Sequence, residues 1–256
     1  MPRKHALAVA SLCAYLLLLP GAHAATTLKL TVTLKPERLG YGTTVGFDLN
    51  IIPHTSLVPP PLTEVDLSYP DELGIGLSGI GLTTCSTTTL ETRGPAACPS
   101  EARMGYGTVL AEIPIQGEAI QERATLTVLR ATTQEGHISM YFYAEGWSPV
   151  IDQILLPAAL LPAEPPFGGR LHITVPLLEA FTAGPFISVA QIHGTLGPQH
   201  LTYYRHAGRR TYLPYNPQGI LLPKRCPLHG FRFAADLRFL DNTQSTATAT
   251  VHCSRP

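Results

Sequence analysis

Charged residues are scarce in this sequence. Asp, Glu, Lys and Arg make up 14% of its 256 residues, and 18 basic residues balance 18 acidic ones, whereas a typical globular protein has about 25% charged residues. A chain without net charge offers no electrostatic attraction for nucleic acid or for an anionic membrane. We therefore expect no nucleic-acid partner.

Motifs of catalysis and of cofactor binding are also missing. The sequence has no Gly-x-Ser-x-Gly nucleophile turn and no phosphate-binding glycine loop that ends in Lys-Ser or Lys-Thr. The glycines of residues 74–81 open no helical pattern, so we interpret them as bulge or turn residues. We predict no cofactor, and we favour a protein without enzymatic activity.

Long apolar runs are absent after the N-terminus. Ala6–Leu19 is apolar and follows a short basic start, and Ala22 and Ala24 are the small residues that signal peptidase requires. We predict that residues 1–24 are a signal peptide and that residues 25–256 form a single domain in the medium or the cell envelope. A membrane-spanning helix needs about 20 apolar residues, so we expect no membrane span in the mature chain.

Cysteine is sparse, but its placement is informative. Of five cysteines, Cys13 lies in the predicted signal peptide, which leaves Cys85, Cys98, Cys226 and Cys253. An even number of cysteines in an exported chain predicts two disulfides. Three pairings are possible, and proximity in the sequence favours Cys85–Cys98 with Cys226–Cys253.

Proline and glycine are plentiful, with 24 and 22 residues, and predict many turns. Apolar and polar residues alternate with the period of half-buried strands over residues 28–34, 44–51, 65–69, 124–146 and 231–251. The last two segments read as hairpins, and only residues 87–93 and 99–104 suit short helices. This pattern predicts an all-β fold with minimal helix, an antiparallel β-sandwich that is immunoglobulin-like or related, held by two disulfides.

The two cysteine-containing segments resemble a known family. Residues 85–99 read Cys-x4-Leu-x3-Gly-Pro-x2-Cys-Pro, and Gly105 and Gly107 follow. This pattern is similar to a motif of uncharacterised exported all-β proteins of high-GC Gram-positive bacteria. Residues 226–253 resemble that family's C-terminal hairpin, except that Asn242 stands where the family often has glycine. The resemblance implies export and disulfides, and it implies no particular activity.

Two groups of residues have the ligand types of a metal site. Cys226, His229, His252 and Cys253 could form a zinc site, but oxidation to a disulfide removes both thiolates. The second group is His193, His200 and His206, in which a turn over residues 194–198 would bring His193 close to His200. Histidines paired across strands are usually solvated, so we predict no metal at either group.

Carboxylates are the remaining candidates for catalysis. Glycoside hydrolysis needs two of them about 5 to 10 Å apart, and the sequence offers two sets, Glu112, Glu118 and Glu122, and Asp66, Asp71 and Glu72. Acidic residues at turns are normally solvated surface groups, so we assign none of them a catalytic role. An extracellular hydrolase of a polysaccharide or peptide is the alternative to a binding protein.

Residues 148–169 form the longest segment without strand alternation, and five of them are proline. We predict a long loop, with at most short helical turns. Its apolar residues either cover an open end of the sandwich or form an exposed surface for a partner or for self-association. The candidate partner surface consists of Ile154, Leu155, Leu160 and Leu161.

The function that the sequence favours is therefore a general one. We expect a non-enzymatic, secreted or envelope-associated module that binds an extracellular or envelope partner or builds a surface. No residue pattern identifies the partner.

Overall fold

A computed structural model describes residues 26–75, 78–147, 153–208 and 210–253. The predicted signal peptide and its cleavage site after Ala24 lie outside these residues. Within them the chain forms one α-helix, α1 (Thr87–Arg93), and fourteen strands. The strands are β1 (Thr26–Lys35), β2 (Gly42–Pro53), β3 (Leu62–Pro70), β4 (Arg103–Ile115), β5 (Glu118–Arg130), β6 (Ser139–Gly146), β7 (Gln153–Leu161), β8 (Phe167–Thr174), β9 (Ser188–Leu196), β10 (Tyr203–Gly208), β11 (Thr211–Tyr215), β12 (Ile220–Leu221), β13 (Phe231–Phe239) and β14 (Gln244–Val251).

Most of these strands belong to one antiparallel sheet. Eleven of them follow the order β1-β2-β9-β4-β5-β6-β7-β8-β3-β13-β14, β12 adds to β2, and β10 and β11 form a separate ribbon. The first and last strands meet, because the Ser245 hydroxyl donates to the Thr26 carbonyl at 2.9 Å and the two hydroxyls lie 2.6 Å apart. The sheet is therefore rolled and nearly closed, and we call it the rolled sheet.

The all-β class and the two disulfides are confirmed. However, twelve of the fourteen strands form the rolled sheet, and they do not separate into the two sheets expected of an immunoglobulin-like sandwich. The reason is that period-two alternation shows which face of a strand is covered, and it does not show which strands pair. The two architectures therefore have similar sequence patterns.

The predicted C-terminal hairpin is present as β13 and β14. Phe233 of β13 lies opposite Ala249 of β14, and Leu237 lies opposite Ser245, so large side chains face small ones. Asn242 has a φ of 64° in the connecting turn, a conformation that asparagine tolerates better than most residues. The asparagine can therefore fill the position at which the resembling family often has glycine.

Tyr203 fills one end of the interior. Its side chain is fully buried, and its hydroxyl accepts a hydrogen bond from the Gly81 N–H at 3.0 Å and donates to the Arg103 carbonyl. Burial raises the pKa of Tyr203 to about 12. One hydroxyl thus joins the loop before α1, the start of β4 and the start of β10.

We predict that Tyr203→Phe destabilises the protein by about 1–3 kcal/mol, because it leaves a buried N–H and a buried carbonyl without their partner. Urea unfolding of both proteins would measure the difference. An unchanged midpoint and slope would contradict this role for the hydroxyl.

The segment from Cys85 to Ala102 covers the outer face of the rolled sheet. The Ser86 hydroxyl accepts a hydrogen bond from the Thr89 N–H at the start of α1. Leu90 of α1 packs with Leu129 and Tyr143 of β5 and β6. No helix in the described part of the chain is long and apolar enough to cross a membrane.

Both predicted disulfides are present. Cys85 and Cys98 close the loop that contains α1, with their Cα atoms 5.5 Å apart. Cys226 and Cys253 join the chain before β13 to the chain after β14, with a Cα–Cα distance of 6.1 Å. Each bridge therefore fixes a segment that lies against the rolled sheet.

Peptide mapping of the protein without reduction should recover Cys85 linked to Cys98 and Cys226 linked to Cys253. On the loop-entropy argument, each bridge contributes on the order of 3 kcal/mol to the free energy of unfolding. Free thiols or crossed pairs at these positions would contradict the assignment.

The expected loop over residues 148–169 is wrong for most of its length. Residues 148–152 lie outside the described residues, but Gln153–Leu161 is strand β7 and Phe167 begins β8. Both faces of β7 are covered, since Leu156 packs on the interior and Leu155 packs on the α1 segment, so its sequence shows no alternation. Pro157 precedes the first β7 residue that pairs with β8, Ala158, at a position that a proline can occupy.

Candidate functional site

The apolar interior of the rolled sheet contains two adjoining cavities. The larger one, which we call the outer chamber, has a volume of about 120 Å³. Its walls include Leu49, Val65, Leu126, Phe142, Leu156 and Ile173. The smaller one, which we call the inner chamber, measures about 60 Å³. Its walls include Val45, Ile80, Met104, Met140, Leu160 and Leu196.

The two chambers share the side chains of Phe47 and Leu67. Along β2, Leu49 lines the outer chamber, Phe47 lines both, and Val45 lines the inner one. The same order holds along other strands, so the chambers follow each other along the strand direction. Phe47 and Leu67 stand at their junction.

Gly194 makes room for the ring of Phe47. The two residues lie opposite each other on β9 and β2, and a Cβ atom on Gly194 would collide with the Phe47 ring. The missing side chain lets the ring lie against the wall of the sheet. The position of Phe47 at the junction therefore depends on this glycine.

The chambers follow from the number of strands. About eight strands form a closed sheet whose interior side chains can just fill it, and a closed sheet of eleven is wide enough to surround a helix. The rolled sheet has eleven strands in its path, and α1 lies outside it. Protein interiors are otherwise close-packed, so two adjoining apolar cavities indicate space for a ligand.

Glu122 lies in the wall of the outer chamber. It is only 6% exposed, and it is the one ionisable residue among the described residues of this wall. Ala124 and Leu126 line the same chamber, which places Glu122 in phase with the inward positions of β5. In the sequence Glu122 is one of several candidate acids, but it lies two and four residues before the inward-facing Ala124 and Leu126, a spacing that predicts an inward side chain.

The segment between β8 and β9 borders the outer chamber. Pro176, Leu178 and Ile187 face the cavity, whereas Leu177 and Phe181 are 40% and 55% exposed. This segment therefore presents apolar side chains both to the chamber and to the surface beside it.

The four residues of the candidate partner surface are divided between the two faces of β7. Ile154 lines the outer chamber and Leu160 lines the inner one. Leu155 packs on the disulfide-linked α1 segment, and Leu161 is half-buried. Only the face with Ile154 and Leu160 reaches the cavities, and a partner role for the four residues together stays a prediction.

Separate serine substitutions distinguish the two faces. We expect Leu160→Ser to lower the free energy of unfolding by about 2 kcal/mol, because it removes apolar packing from the core and introduces a hydroxyl. Leu161→Ser should change it by less than half as much. Thermal or urea unfolding measures both, and equal losses would contradict the inward placement of Leu160 alone.

The predicted histidine group is not brought together by a turn. β9 continues through Gly194 to Leu196, and β10 pairs with β11, so the expected turn over residues 194–198 is wrong. The His193 ring lies 3.4 Å from the Asp48 carboxylate, and His206 bonds the Gly208 carbonyl. Within the described residues, no three His, Cys, Asp or Glu side chains are grouped as metal ligands.

Cys226 and Cys253, the sulfur residues of the other metal hypothesis, form a disulfide. Their sulfurs are therefore not available as thiolate ligands. His229 and His252 lie close to the bridged cysteines in the sequence.

The three carboxylates of the first candidate set, Glu112, Glu118 and Glu122, lie in different surroundings. Glu112 accepts a hydrogen bond from Gln121 at 3.1 Å on the face of β4 opposite the one that Ala111 turns to the outer chamber, whereas Glu122 is inside. Glu118 is exposed at the start of β5. The structure thus separates these three carboxylates between the interior and the surface.

The second acidic set lies along and after β3. The Asp66 carboxylate is 2.9 Å from His172 Nδ1 and 3.6 Å from Arg170 Nε. Asp71 and Glu72 are exposed after the strand. Desolvation, followed by the neighbouring Asp71 carboxyl, raises the pKa of Glu72. Asp66 lies between the side chains of His172 and Arg170 and has the surroundings of a structural ion pair.

A polar groove lies on the outside of the sheet, between the α1 segment and β6. It has a volume of about 360 Å³ and is lined by Glu91, Arg93, Tyr143 and Glu145. Burial, followed by the charge of Glu145, raises the pKa of Tyr143. This groove is separated from the chambers by the sheet itself, since Phe142 and Ala144 face inward on the same strand.

Comparisons with protein-family models, with curated proteins and with solved structures find no match. The resemblance to exported all-β proteins of high-GC Gram-positive bacteria therefore stays a prediction, based on the two cysteine-containing segments.

Proposed function

We propose that this protein is a non-enzymatic, secreted or envelope-associated binding module that holds an apolar small molecule inside its rolled sheet. The observation that carries the proposal is the pair of adjoining chambers in an otherwise close-packed core. Ligand sites are typically concave and mostly apolar, with a few placed polar groups. The outer chamber has this character, with Glu122 as its ionisable group.

The size of the outer chamber supports a ligand of this kind. An engineered apolar cavity of about 150 Å³ in another protein stays free of water and binds benzene, and the outer chamber measures about 120 Å³. Water gains few hydrogen bonds from such walls. An apolar molecule would therefore be the favoured occupant.

The surroundings of the chamber support access for a ligand. β7 pairs with β8 only over Ala158–Leu161, so the part of β7 that carries Ile154 and Leu156 has no hydrogen-bond ladder to β8. The exposed Leu177 and Phe181 lie in the segment that borders the chamber. An apolar ligand could enter beside these residues with little contact with water.

The cysteines support the proposed location of the protein outside the cytosol. Disulfides persist in oxidising surroundings and are rare in the cytosol, and the structure has two. These surroundings fit export, and they fit the predicted signal peptide. The medium and the envelope also contain apolar molecules that need a protein carrier in water.

Binding of the small, neutral, single-ring dye 4-(dimethylamino)benzonitrile tests the proposal. We expect its emission to rise with about one equivalent of protein, and we expect Ala124→Phe to weaken binding about tenfold or more, because the new ring fills the outer chamber. Ala207→Phe, at an exposed position of β10, is the matched control and should bind as the wild type does.

Thermal unfolding should show that Ala124→Phe remains folded, since a side chain that fills a cavity has room for its atoms. Dye binding that is absent from the wild type, or that is equal in Ala124→Phe and the wild type, would refute an interior site.

A further inference from the structure

The junction between the chambers indicates the shape of the ligand. The outer chamber is about twice the volume of the inner one, and both meet at Phe47 and Leu67. A site that narrows inward between two side chains accepts a slender group more readily than a branched or fused-ring one. This inference rests on the proposed function, because it concerns the same interior.

The chambers form a path along the strands. On β3, Leu62 lines the outer chamber and Tyr69 lines the inner one, with Leu67 at the junction. Seven residue steps of a strand extend over roughly 23 Å. The apolar lining therefore continues along much of the strand, and its inner part includes the buried residues Ile80 and Ile220.

The two ends of this path differ in polarity. Glu122 lies in the wall of the outer chamber, whereas the inner chamber has no ionisable side chain except the phenol of Tyr69 among its described residues. Burial raises the pKa of Tyr69, so this phenol stays uncharged at neutral pH. A carboxylate at one end only suits a molecule that is polar at one end.

We infer that the ligand is an unbranched, single-chain amphiphile whose chain passes between Phe47 and Leu67 into the inner chamber while its polar end stays beside Glu122. A neutral polar end that can hydrogen-bond fits this buried carboxyl group better than an anionic one, because an unpaired charge is costly in an apolar chamber. Phe47 and Leu67 are then the residues that determine which chains can enter.

A series of straight-chain alcohols tests this inference by displacement of 4-(dimethylamino)benzonitrile. With the wild type we expect affinity to rise from hexanol through octanol and decanol to dodecanol, by up to about fourfold for each added methylene, because each methylene leaves water. A chain that cannot enter the inner chamber gains less from each further methylene.

Val45→Phe removes the inner chamber and leaves the outer one intact, because Val45 lines only the inner chamber. We expect this variant to keep measurable binding of the dye and of hexanol, while its affinity stops rising at a shorter alcohol than that of the wild type. Leu196→Phe, on β9 directly opposite Val45, should give the same result and serves as the second variant should Val45→Phe fail to fold. Ala207→Phe is again the surface control.

The outcomes separate this inference from the proposed function. If the wild type binds neither dye nor alcohol, both the apolar site and the chain-shaped ligand are refuted. If the wild type binds the dye, but its alcohol series is flat or is identical to the series of Val45→Phe and Leu196→Phe, only the passage into the inner chamber is refuted.

Discussion

Closure of one antiparallel sheet by eleven strands is the constraint on which the rest of this structure depends. The number of strands sets the width of a closed sheet, and here the width exceeds what the inward side chains fill. An odd number of antiparallel strands also makes the first and last strands run in the same direction. They meet through the hydroxyls of Thr26 and Ser245, and the chambers exist because this closure leaves the interior without a central element.

The local parts of the fold could be predicted from the sequence. Alternation and turn residues were sufficient for the C-terminal hairpin, and the even number of cysteines together with their proximity in the sequence was sufficient for the two disulfides. The N-cap Ser86 begins a helix over the predicted residues 87–93. Each of these features depends on residues that are close together in the chain.

The closed arrangement could not be predicted in the same way. β9 lies between β2 and β4, and β3 lies between β8 and β13, and no local pattern specifies such distant pairings. The chambers have no sequence signal either, because a cavity is the space left after all side chains are packed. Glu122 is the exception, since its phase with Ala124 and Leu126 could have revealed an inward carboxylate.

The two faces of the sheet have different chemistry, and β6 shows this residue by residue. Phe142 and Ala144 contact the outer chamber, while Tyr143 and Glu145 line the polar groove under the α1 segment. The Cys85–Cys98 bridge holds that segment against the sheet. Substitutions of residues in the polar groove and substitutions of residues in the chambers can therefore be made independently.

The meeting of β1 and β14 also affects how copies of this protein behave toward one another. A free edge strand offers unpaired N–H and carbonyl groups to a neighbouring molecule, and many proteins place charged residues there to prevent such pairing. This chain has few charged residues that could serve this purpose, since they make up 14% of the sequence and carry no net charge. Bringing the two edges together protects the sheet by geometry where charge repulsion is weak, so resistance to edge-to-edge aggregation depends on keeping the seam at Thr26 and Ser245 closed.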